Sequence, residues 1–501
     1  MASIWNILTA HTGTRAIGAP HQPWLSGPDL LRLATETQAT LNQAGIGRGD
    51  RLAIVLPNGP EMATAFVSIA ASCTAAPLNP AYKAEEFAFY LQDLKPRAIV
   101  LMNGDDTPAR AVAETLALPI IHLHPDGASG AYTLQTTLTG SAAQPSWGEA
   151  ADMALVLHTS GTTARPKIVP LTNGNLAASA RHIATSLALT PADTCLNVMP
   201  LFHIHGLIAA VLSSLQAGAS TACTPGFNAF KFADWVEAVH PTWYTAVPTM
   251  HQAILMRARS NKPRAQAMNL RLIRSSSASL PPQVMLELEE VFGSPVIEAY
   301  GMTEAAHQMC ANPLPPRARK PGAVGVAAGP EIAVMDDAGT ILAQGDTGEV
   351  VIRGPNVTPG YDNNPDANAK AFTDGWFRTG DQGRIDPEGY LFLTGRLKEQ
   401  INRGGEKISP LEVDTILLDH PALAQAVTFA IPHDKLGEEV GAVVVCLPGQ
   451  TVTEQEIRDF AATRLAAFKV PRRVLVMEDV PKGATGKVQR IGLAQKLGLA
   501  P

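Results

Sequence analysis

The segment LHTSGTTARPKIVP (157–170) concentrates hydroxyl groups and positive charge between two apolar runs. Because it follows a strand-like stretch, its backbone N–H groups and hydroxyls can face one anion, with a lysine charge behind them. The candidate anion ligands are Thr159, Ser160, Gly161, Thr162, Thr163 and Lys167. The pattern suits a polyphosphate, although it lacks the Gly-x4-Gly-Lys-Ser/Thr spacing of a Walker A loop. Taken alone, an ordinary Ser/Thr-rich turn also explains it.

The segment EAYGMTE (298–304) carries the other groups that a nucleoside triphosphate needs. Tyr300 offers an aromatic face, and Gly301 leaves room for a close backbone approach. Thr303 adds a hydroxyl and Glu304 a carboxylate, the kind of oxygen ligand that magnesium prefers. The sequence therefore predicts a nucleotide and magnesium site here.

Two later segments add a carboxylate and a lysine. GWFRTGD (375–381) ends on Asp381, which can accept hydrogen bonds from both ribose hydroxyls. PKGATGKVQR (481–490), near the end of the chain, places Lys487 on a glycine-containing loop. Both are consistent with a nucleotide site assembled from distant parts of the sequence.

In this order, the four segments and GRLKEQINRGGEKISP (395–410) resemble the adenylate-forming superfamily of acyl-CoA synthetases, adenylation domains and luciferases. The similarity covers essentially the whole chain. More narrowly, VLHTSGTTARPK, PLFHIHGL, TWYTAVPTMHQ, IRSSSASL, AYGMTEAAHQM and INRGGEKISPLEVD resemble oxalate-CoA ligases. The resemblance implies an acid-thiol ligase that uses ATP, Mg2+ and CoA, with an acyl-adenylate formed first and a thioester second.

The resemblance also implies roles for individual residues. Tyr300 would cover adenine, Asp381 and Arg396 would hold the ribose, and the 159–167 loop would bind the β- and γ-phosphates. Lys487 would bridge the carboxylate and the α-phosphate in the first transition state, where two anions meet. The residues expected to bind ATP or AMP outside the phosphate loop are Ser276, Glu298, Ala299, Tyr300, Gly301, Thr303, Asp381, Arg396 and Lys487, with Glu304 as the magnesium ligand.

The same resemblance implies a mobile small domain. We expect a large domain at 1–395, a hinge at 396–398 that turns about Lys398, and a small domain at 399–501. Rotation would withdraw Lys487 and bring in a CoA channel lined by Gly404, Gly405, Glu406 and Lys407. The alternative interpretation of the glycine pair is a simple turn between Asn402 and Ile408.

The acid is predicted from the polar segment RSSSASL (274–280). Oxalate is a dianion, and its second carboxylate must meet hydrogen-bond donors when it leaves water. The resemblance places Ser277 and His307 at that carboxylate, and His203 at the gate for the carboxylate and CoA. It also counts His203 among the catalytic residues, together with Lys487, Thr303 and Glu304.

Each of these side chains also has a structural interpretation. His203 and His205 are consistent with capping or core histidines, and this structural interpretation is favoured for His205. Ser279 is expected to cap a helix that begins near Pro281. His307 is consistent with a surface residue, and the basic residues Lys469, Arg472 and Arg473 with either CoA phosphate contacts or a solvated edge.

Alternating apolar strands and helices before residue 324 predict an α/β fold built on largely parallel sheets. Examples are RLAIVLP (51–57) and RAIVLM (97–102), with the helical pattern EMATAFVSIAAS (61–72) between them. The texture changes at about 324–395, where short alternating strands predict a mostly antiparallel subdomain. The last hundred residues predict a small α+β domain.

Composition narrows the class of protein. The chain has 501 residues, which exceeds what one hydrophobic core normally supports and so indicates two or more domains. Its net charge of −6 is spread along the chain without blocks of like charge, which argues against a surface that binds nucleic acid or anionic membranes. Five scattered cysteines indicate reduced thiols in a cytoplasmic protein. We further expect a monomer or small homo-oligomer with small-molecule substrates. The alternatives left open are a ligase for another acid, an adenylation domain that feeds a carrier protein, and a nucleotide-binding relative without catalysis.

Overall fold

The computed structural model describes residues 2–159, 166–481 and 488–500. Strands are numbered along the chain. The first fifteen are β1 (Ile17–Gly18), β2 (Arg51–Val55), β3 (Thr74–Pro77), β4 (Ala98–Met102), β5 (Ile120–Pro125), β6 (Tyr132–Gln135), β7 (Met153–His158), β8 (Ile168–Thr172), β9 (Thr194–Asn197), β10 (Ser220–Cys223), β11 (Trp243–Ala246), β12 (Leu272–Ser276), β13 (Val296–Met302), β14 (His307–Ala311) and β15 (Val326–Ala327). They are followed by β16 (Glu331–Met335), β17 (Gly348–Arg353), β18 (Phe372–Thr373), β19 (Trp376–Ile385), β20 (Leu391–Arg396), β21 (Ile401–Arg403), β22 (Glu406–Ile408), β23 (Leu423–His433), β24 (Gly437–Cys446) and β25 (Arg473–Val476).

The α-helices are numbered in the same way. They are α1 (Ile4–Ala10), α2 (Gly27–Gln43), α3 (Pro60–Ser72), α4 (Ala84–Leu94), α5 (Pro108–Thr115), α6 (Asn173–Ser186), α7 (Ser213–Gln216), α8 (Phe232–Val239), α9 (Pro248–Ala258), α10 (Lys262–Ala267), α11 (Pro282–Phe292), α12 (Pro365–Ala371), α13 (Pro410–Leu418), α14 (Glu454–Ala462) and α15 (Leu493–Lys496). A π-helix spans His205–Leu212, and 3-10 turns lie at Arg259–Asn261, Thr303–Ala305 and Leu397–Glu399.

Two mostly parallel sheets form the larger part of the molecule. One has the strand order β6-β5-β4-β2-β3-β7-β8, and the other has the order β1-β10-β9-β11-β12-β13-β14-β15. Antiparallel pairs occur only towards the ends of these sheets, at β5–β6, β7–β8, β13–β14 and β14–β15 among the described strands. The prediction of an α/β fold on largely parallel sheets is confirmed.

Helix α3 lies between the two sheets and contacts strands of both. Every residue of it except Glu61 is buried, as expected for a helix that is apolar on all sides. The predicted apolar run 61–72 therefore forms the central layer of the core.

The β-rich region forms an antiparallel sheet in the order β16-β17-β19-β18, with β20 paired to β19. The predicted subdomain at about 324–395 begins slightly too early, because β15 (Val326–Ala327) pairs with β14 and belongs to the eight-stranded sheet. The core of this sheet is continuous with the main core through residues such as Val350 and Phe377.

The last hundred residues form a separate sheet, β22-β21-β24-β23 with β25 beside β24, packed against α13 and α14. Helix α13 begins as its sequence SPLE predicts: the Ser409 side chain accepts the Glu412 N–H, and Pro410 occupies the first turn. Thr453 and Glu456 form a capping box at the start of α14.

The uncharged run 206–227 folds as buried structure. It supplies the π-helix, α7 and β10, and their residues are almost all buried. Among the described residues, no helix combines the length and apolarity that crossing a lipid bilayer requires.

Candidate active site

The segments after two neighbouring parallel strands form the centre of the candidate site. β12 and β13 pair with Ser276 opposite Ala299, so both continuations leave the same edge of the sheet. The chain then turns through Thr303–Ala305 and returns antiparallel as β14. At Gly301 the return is so close that an added Cβ would lie 1.7 Å from the His307 carbonyl oxygen. Glycine is therefore required at position 301.

Tyr300, Asp381 and Arg396 meet in one cluster, as the nucleotide site requires. The Tyr300 hydroxyl donates to Asp381 Oδ2 over 2.5 Å, and Arg396 Nε lies 3.2 Å from Asp381 Oδ1. Asp381 and Arg396 are register neighbours on β19 and β20. Burial raises the pKa of the Asp381 carboxyl, while Arg396 acts in the opposite direction. Three residues that are up to 96 positions apart in the sequence thus share one polar cluster.

Glu304 lies in a second cluster with Tyr361 and Lys167. Its Oε1 atom accepts the Tyr361 hydroxyl over 2.9 Å, and Lys167 Nζ lies 4.2 Å from the centre of the Tyr361 ring. Burial raises the pKa of Glu304. Burial and the nearby charge of Lys398 lower the pKa of Lys167, against the effect of Glu304. A multiply charged anion with a bound cation would be complementary to both groups.

Glu304 fits the chemistry of the predicted magnesium ligand. Among the described residues, no group of three or more His, Cys, Asp and Glu side chains is placed to hold a metal. Magnesium at nucleotide sites usually takes one or two carboxylates, and phosphates and water supply the remaining oxygens. A single buried carboxylate beside a lysine matches that donor set.

The predicted phosphate loop joins β7 to β8. The two strands are antiparallel, and the loop is closed at its base by Thr159 N–H to Lys167 O, 2.9 Å, and Lys167 N–H to Thr159 Oγ1, 3.2 Å. The predicted ligands Ser160, Gly161, Thr162 and Thr163 lie outside the described residues, as does Lys487.

Ser277, His205 and His307 form the candidate carboxylate pocket. His205 Nδ1 is 2.9 Å from Ser277 Oγ, and the rings of His205 and His307 are 5.1 Å apart. Ser277 has φ +75° and His307 has φ +104°, a backbone conformation that side-chain-bearing residues rarely adopt. His307 is 2% exposed, so its interpretation as a surface residue is wrong. Backbone strain at two residues that flank the same histidine is typical of a functional site.

The sequence missed the part that His205 and Tyr361 play in these clusters. His205 is fully buried, as its assignment to the core requires, but it also contacts the predicted substrate residue Ser277. His203 is partly exposed two residues earlier. The prediction that Ser279 caps a helix is wrong, because the N-cap of α11 is Pro281, without a side-chain hydrogen bond.

Two residues predicted to bind nucleotide already have partners within the fold. The Ser276 hydroxyl donates to Ala299 O over 2.8 Å, which ties β12 to β13. Glu298 Oε1 accepts the Leu280 N–H over 2.8 Å, and burial raises the pKa of Glu298 to about 8. Any role of Ser276, Glu298 or Ala299 towards nucleotide stays a prediction.

The predicted CoA-channel residues lie on a tight hairpin. Gly404 and Gly405 connect β21 to β22 with φ of +61° and +96°, as a two-residue turn requires. Glu406 and Lys407 follow and are exposed. The glycine pair therefore forms a turn locally, and its role in a CoA channel stays a prediction. Lys398 is exposed in the 3-10 turn that joins β20 to the small domain.

Comparison with known proteins identifies relatives along the whole chain. Residues 8–362 match the family model of AMP-binding enzymes, and residues 412–487 match that of the AMP-binding enzyme C-terminal domain. An oxalate-CoA ligase of Arabidopsis thaliana is 47% identical, over 93% of this chain and 92% of that protein. An oxalate-CoA ligase of Saccharomyces cerevisiae is 42% identical, over 89% and 87%.

A solved structure extends the likeness to three dimensions. The crystal structure of ATP-bound MatB from Rhodopseudomonas palustris superposes with a TM-score of 0.87 and 30% identity, covering 99% of both chains. The arrangement of sheets described above is thus that of a known, nucleotide-bound relative.

Proposed function

Because the chain belongs to the AMP-binding enzyme family, we propose that it is an oxalate-CoA ligase, which converts oxalate, ATP and CoA to oxalyl-CoA, AMP and pyrophosphate. The proposal is supported by relatives named for this activity, at 47% and 42% identity over most of their length. ATP, Mg2+ and CoA are the cofactors and co-substrates of this chemistry.

The observation that carries the choice of acid is the polar pocket of Ser277, His205 and His307. A ligase for fatty acids would need apolar side chains here, whereas the Ser277 hydroxyl and the His307 imidazole can donate to a second carboxylate. With acetate, these groups would lose the carboxylate to which they donate, which is a strong form of rejection. The pocket therefore favours a short dianion.

In the first half-reaction, an oxalate oxygen attacks the α-phosphorus of ATP and pyrophosphate leaves. Asp381 would accept the ribose hydroxyls, and Thr159 and Lys167 would hold the phosphates at the base of their loop. Glu304 would hold magnesium, which when bound offsets phosphate charge. Lys487 would neutralise the two anions as they meet, and His203 would stand at the gate through which CoA enters.

In the second half-reaction, the CoA thiol attacks the acyl-adenylate and AMP leaves. Lys487 and the thiol would occupy the same space, so we assign a rotating domain at 399–501 and a hinge at 396–398, centred on Lys398. Separate cores support this division: the two clusters built from residues 401–500 contain no earlier described residue. Gly404, Gly405, Glu406 and Lys407 would then line the CoA channel.

We place the enzyme in the cytoplasm as a monomer or small homo-oligomer with small-molecule substrates. The five cysteines are free thiols, four of them buried, which is consistent with a reducing compartment.

A pyrophosphate-release screen with mono- and dicarboxylic acids tests the function. We expect oxalate to be preferred at least about 100-fold in kcat/KM over malonate, acetate and octanoate, since mismatched polar groups are strongly rejected. Turnover should require free CoA. A broad acid profile would contradict the assignment of oxalate, and adenylate formation without turnover on CoA would point to a carrier-protein partner.

Two variants test the pocket in the same assay. Ser277→Ala and His307→Ala should each lower kcat/KM for oxalate by about 10- to 100-fold, because each removes a hydrogen bond to a charged group. The KM for ATP should stay unchanged. Thr221→Val, a buried hydroxyl deletion elsewhere in the same sheet, is the matched control. Normal oxalate kinetics in both pocket variants would remove the pocket assignment.

A further inference from the structure

Arg274 is a buried guanidinium with no carboxylate partner among the described residues. It lies on β12, three residues before Ser277, and its side chain is 0% exposed. Within the described part of the chain, its hydrogen bonds go to Gln308 Oε1 at 3.2 Å and Thr245 Oγ1 at 3.5 Å, and its Nε atom has no partner. Burial lowers the pKa of Arg274 to about 9, so the group remains charged at neutral pH. A buried cation without a counter-ion is unfavourable and calls for a functional reason.

A continuous line of side chains connects this guanidinium to the pocket. Thr245 on β11 is the register partner of Arg274 on β12, so their side chains lie on the same face of the sheet. Thr245 Oγ1 is 2.6 Å from His205 Nε2, and His205 Nδ1 is 2.9 Å from Ser277 Oγ. Arg274, Thr245 and His205 are each fully buried, and Ser277 is partly exposed.

The chemistry of arginine fixes the direction of the first of these hydrogen bonds. A guanidinium only donates, so Thr245 Oγ1 accepts from Arg274, and its own proton can turn towards His205 Nε2. The imidazole is then neutral with its proton on Nδ1, and it donates to Ser277 Oγ. The Ser277 hydroxyl proton is left to point into the pocket.

We propose that Arg274, Thr245, His205 and Ser277 form a directional relay that holds the Ser277 hydroxyl as a donor to the substrate carboxylate. The inference rests on the proposed carboxylate site. Arg274 touches no substrate and acts as a positioning residue. Its second hydrogen bond, to Gln308, also braces the residue that follows His307, so the same guanidinium supports both walls of the pocket.

Thr245→Val interrupts the relay with almost no change in side-chain shape. We expect it to raise the KM for the acid about tenfold, because the Ser277 hydroxyl is no longer held in the donating orientation, and to leave the KM for ATP unchanged. Thr245→Ser retains the hydroxyl and should restore wild-type values. Thr221→Val controls for loss of a buried hydroxyl in the same sheet. Equal loss of acid and ATP affinity in Thr245→Val would indicate a structural role and overturn the relay.

A double-mutant cycle separates the relay from independent effects. In a Ser277→Ala background the relay has no endpoint, so Thr245→Val should change the acid KM less than twofold. Additive effects of the two substitutions would overturn the proposal. Arg274→Met should resemble Thr245→Val where it folds, and the Thr245 variants decide the question where it does not.

Nitrogen-15 NMR of histidine-labelled protein reads the direction itself. The relay requires the neutral His205 ring to carry its proton on Nδ1 in the wild type and to lose that preference in Thr245→Val. A proton on Nε2 in the wild type would overturn it. The kinetic experiments use whichever acid the wild-type enzyme prefers, and the NMR experiment needs no acid. If oxalate is not the substrate, the relay can therefore still be tested.

Discussion

Glu298 is a carboxyl group held protonated within β13. It is 2% exposed, and burial raises its pKa from 4.5 to about 8. As pH rises, Glu298 therefore loses its proton at a lower pH in the unfolded chain than in the folded chain. Between about pH 4.5 and 8, its contribution to the free energy of unfolding falls by about 1.4 kcal/mol per pH unit. Glu298→Gln keeps an oxygen for the Leu280 N–H and should flatten this dependence. Calorimetric melting between pH 5 and 8 measures it, with exposed Glu85→Gln as control. Parallel curves for wild type and Glu298→Gln would disprove a protonated Glu298.

The roles of single residues could be predicted from the sequence where the residues belong to a motif. Roles that depend on contacts between distant parts of the chain were missed. The positions of Tyr300, Asp381 and Arg396 in one cluster agree with their predicted roles. His205 was interpreted as a capping or core histidine, yet its partners Thr245 and Ser277 lie 40 and 72 positions away. No local pattern contains such contacts, because strand order decides which chain segments become neighbours.

At the level of elements, the turn between β13 and β14 depends on Gly301. An alanine Cβ would meet the His307 carbonyl at 1.7 Å, so β14 must move away from β13. We expect Gly301→Ala to lower the free energy of unfolding by about 1–3 kcal/mol, as overpacking does, and to lower kcat/KM for the acid because His307 is displaced. Urea denaturation and steady-state kinetics measure both. Gly140→Ala is the control, since its nearest contact would be an ordinary 3.4 Å. A Gly301→Ala protein of wild-type stability would show that the two strands separate without penalty.

Helices and strands with a clear hydrophobic pattern were predicted closely, whereas the boundaries between regions were predicted less well. The run 61–72 was expected as a helix and forms α3 (Pro60–Ser72), because its apolar residues occur on every side of the helix, which suits a buried position. The expected start of the antiparallel subdomain at 324 failed, since β15 has only two residues and takes its partner from the neighbouring sheet. Short edge strands are defined by what they pair with, which a local pattern does not record.

At the scale of the whole molecule, the residues before the proposed hinge and those after it meet through polar contacts that water can replace. Gln252 Nε2 donates to Ala424 O over 3.1 Å, and Gln283 donates to Asp419. Hydrogen bonds at a partly exposed interface contribute little net free energy, because water replaces them when they break. A rotation about 396–398 therefore meets no large barrier from these contacts.

If that rotation switches the enzyme between one arrangement for adenylate formation and another for thioester formation, the two half-reactions must respond differently to loss of Lys487. We expect Lys487→Ala to slow adenylate formation by at least about 10²–10³-fold, the usual effect of removing a group that stabilises transition-state charge. Thioester formation from a supplied acyl-adenylate should stay within about twofold of wild type, because the lysine is withdrawn during that step. Pyrophosphate release measures the first half and thioester yield the second, with exposed Lys435→Ala of the same domain as control. Equal loss of both halves would mean that Lys487 serves one fixed site, and the hinge at Lys398 would then have no catalytic purpose.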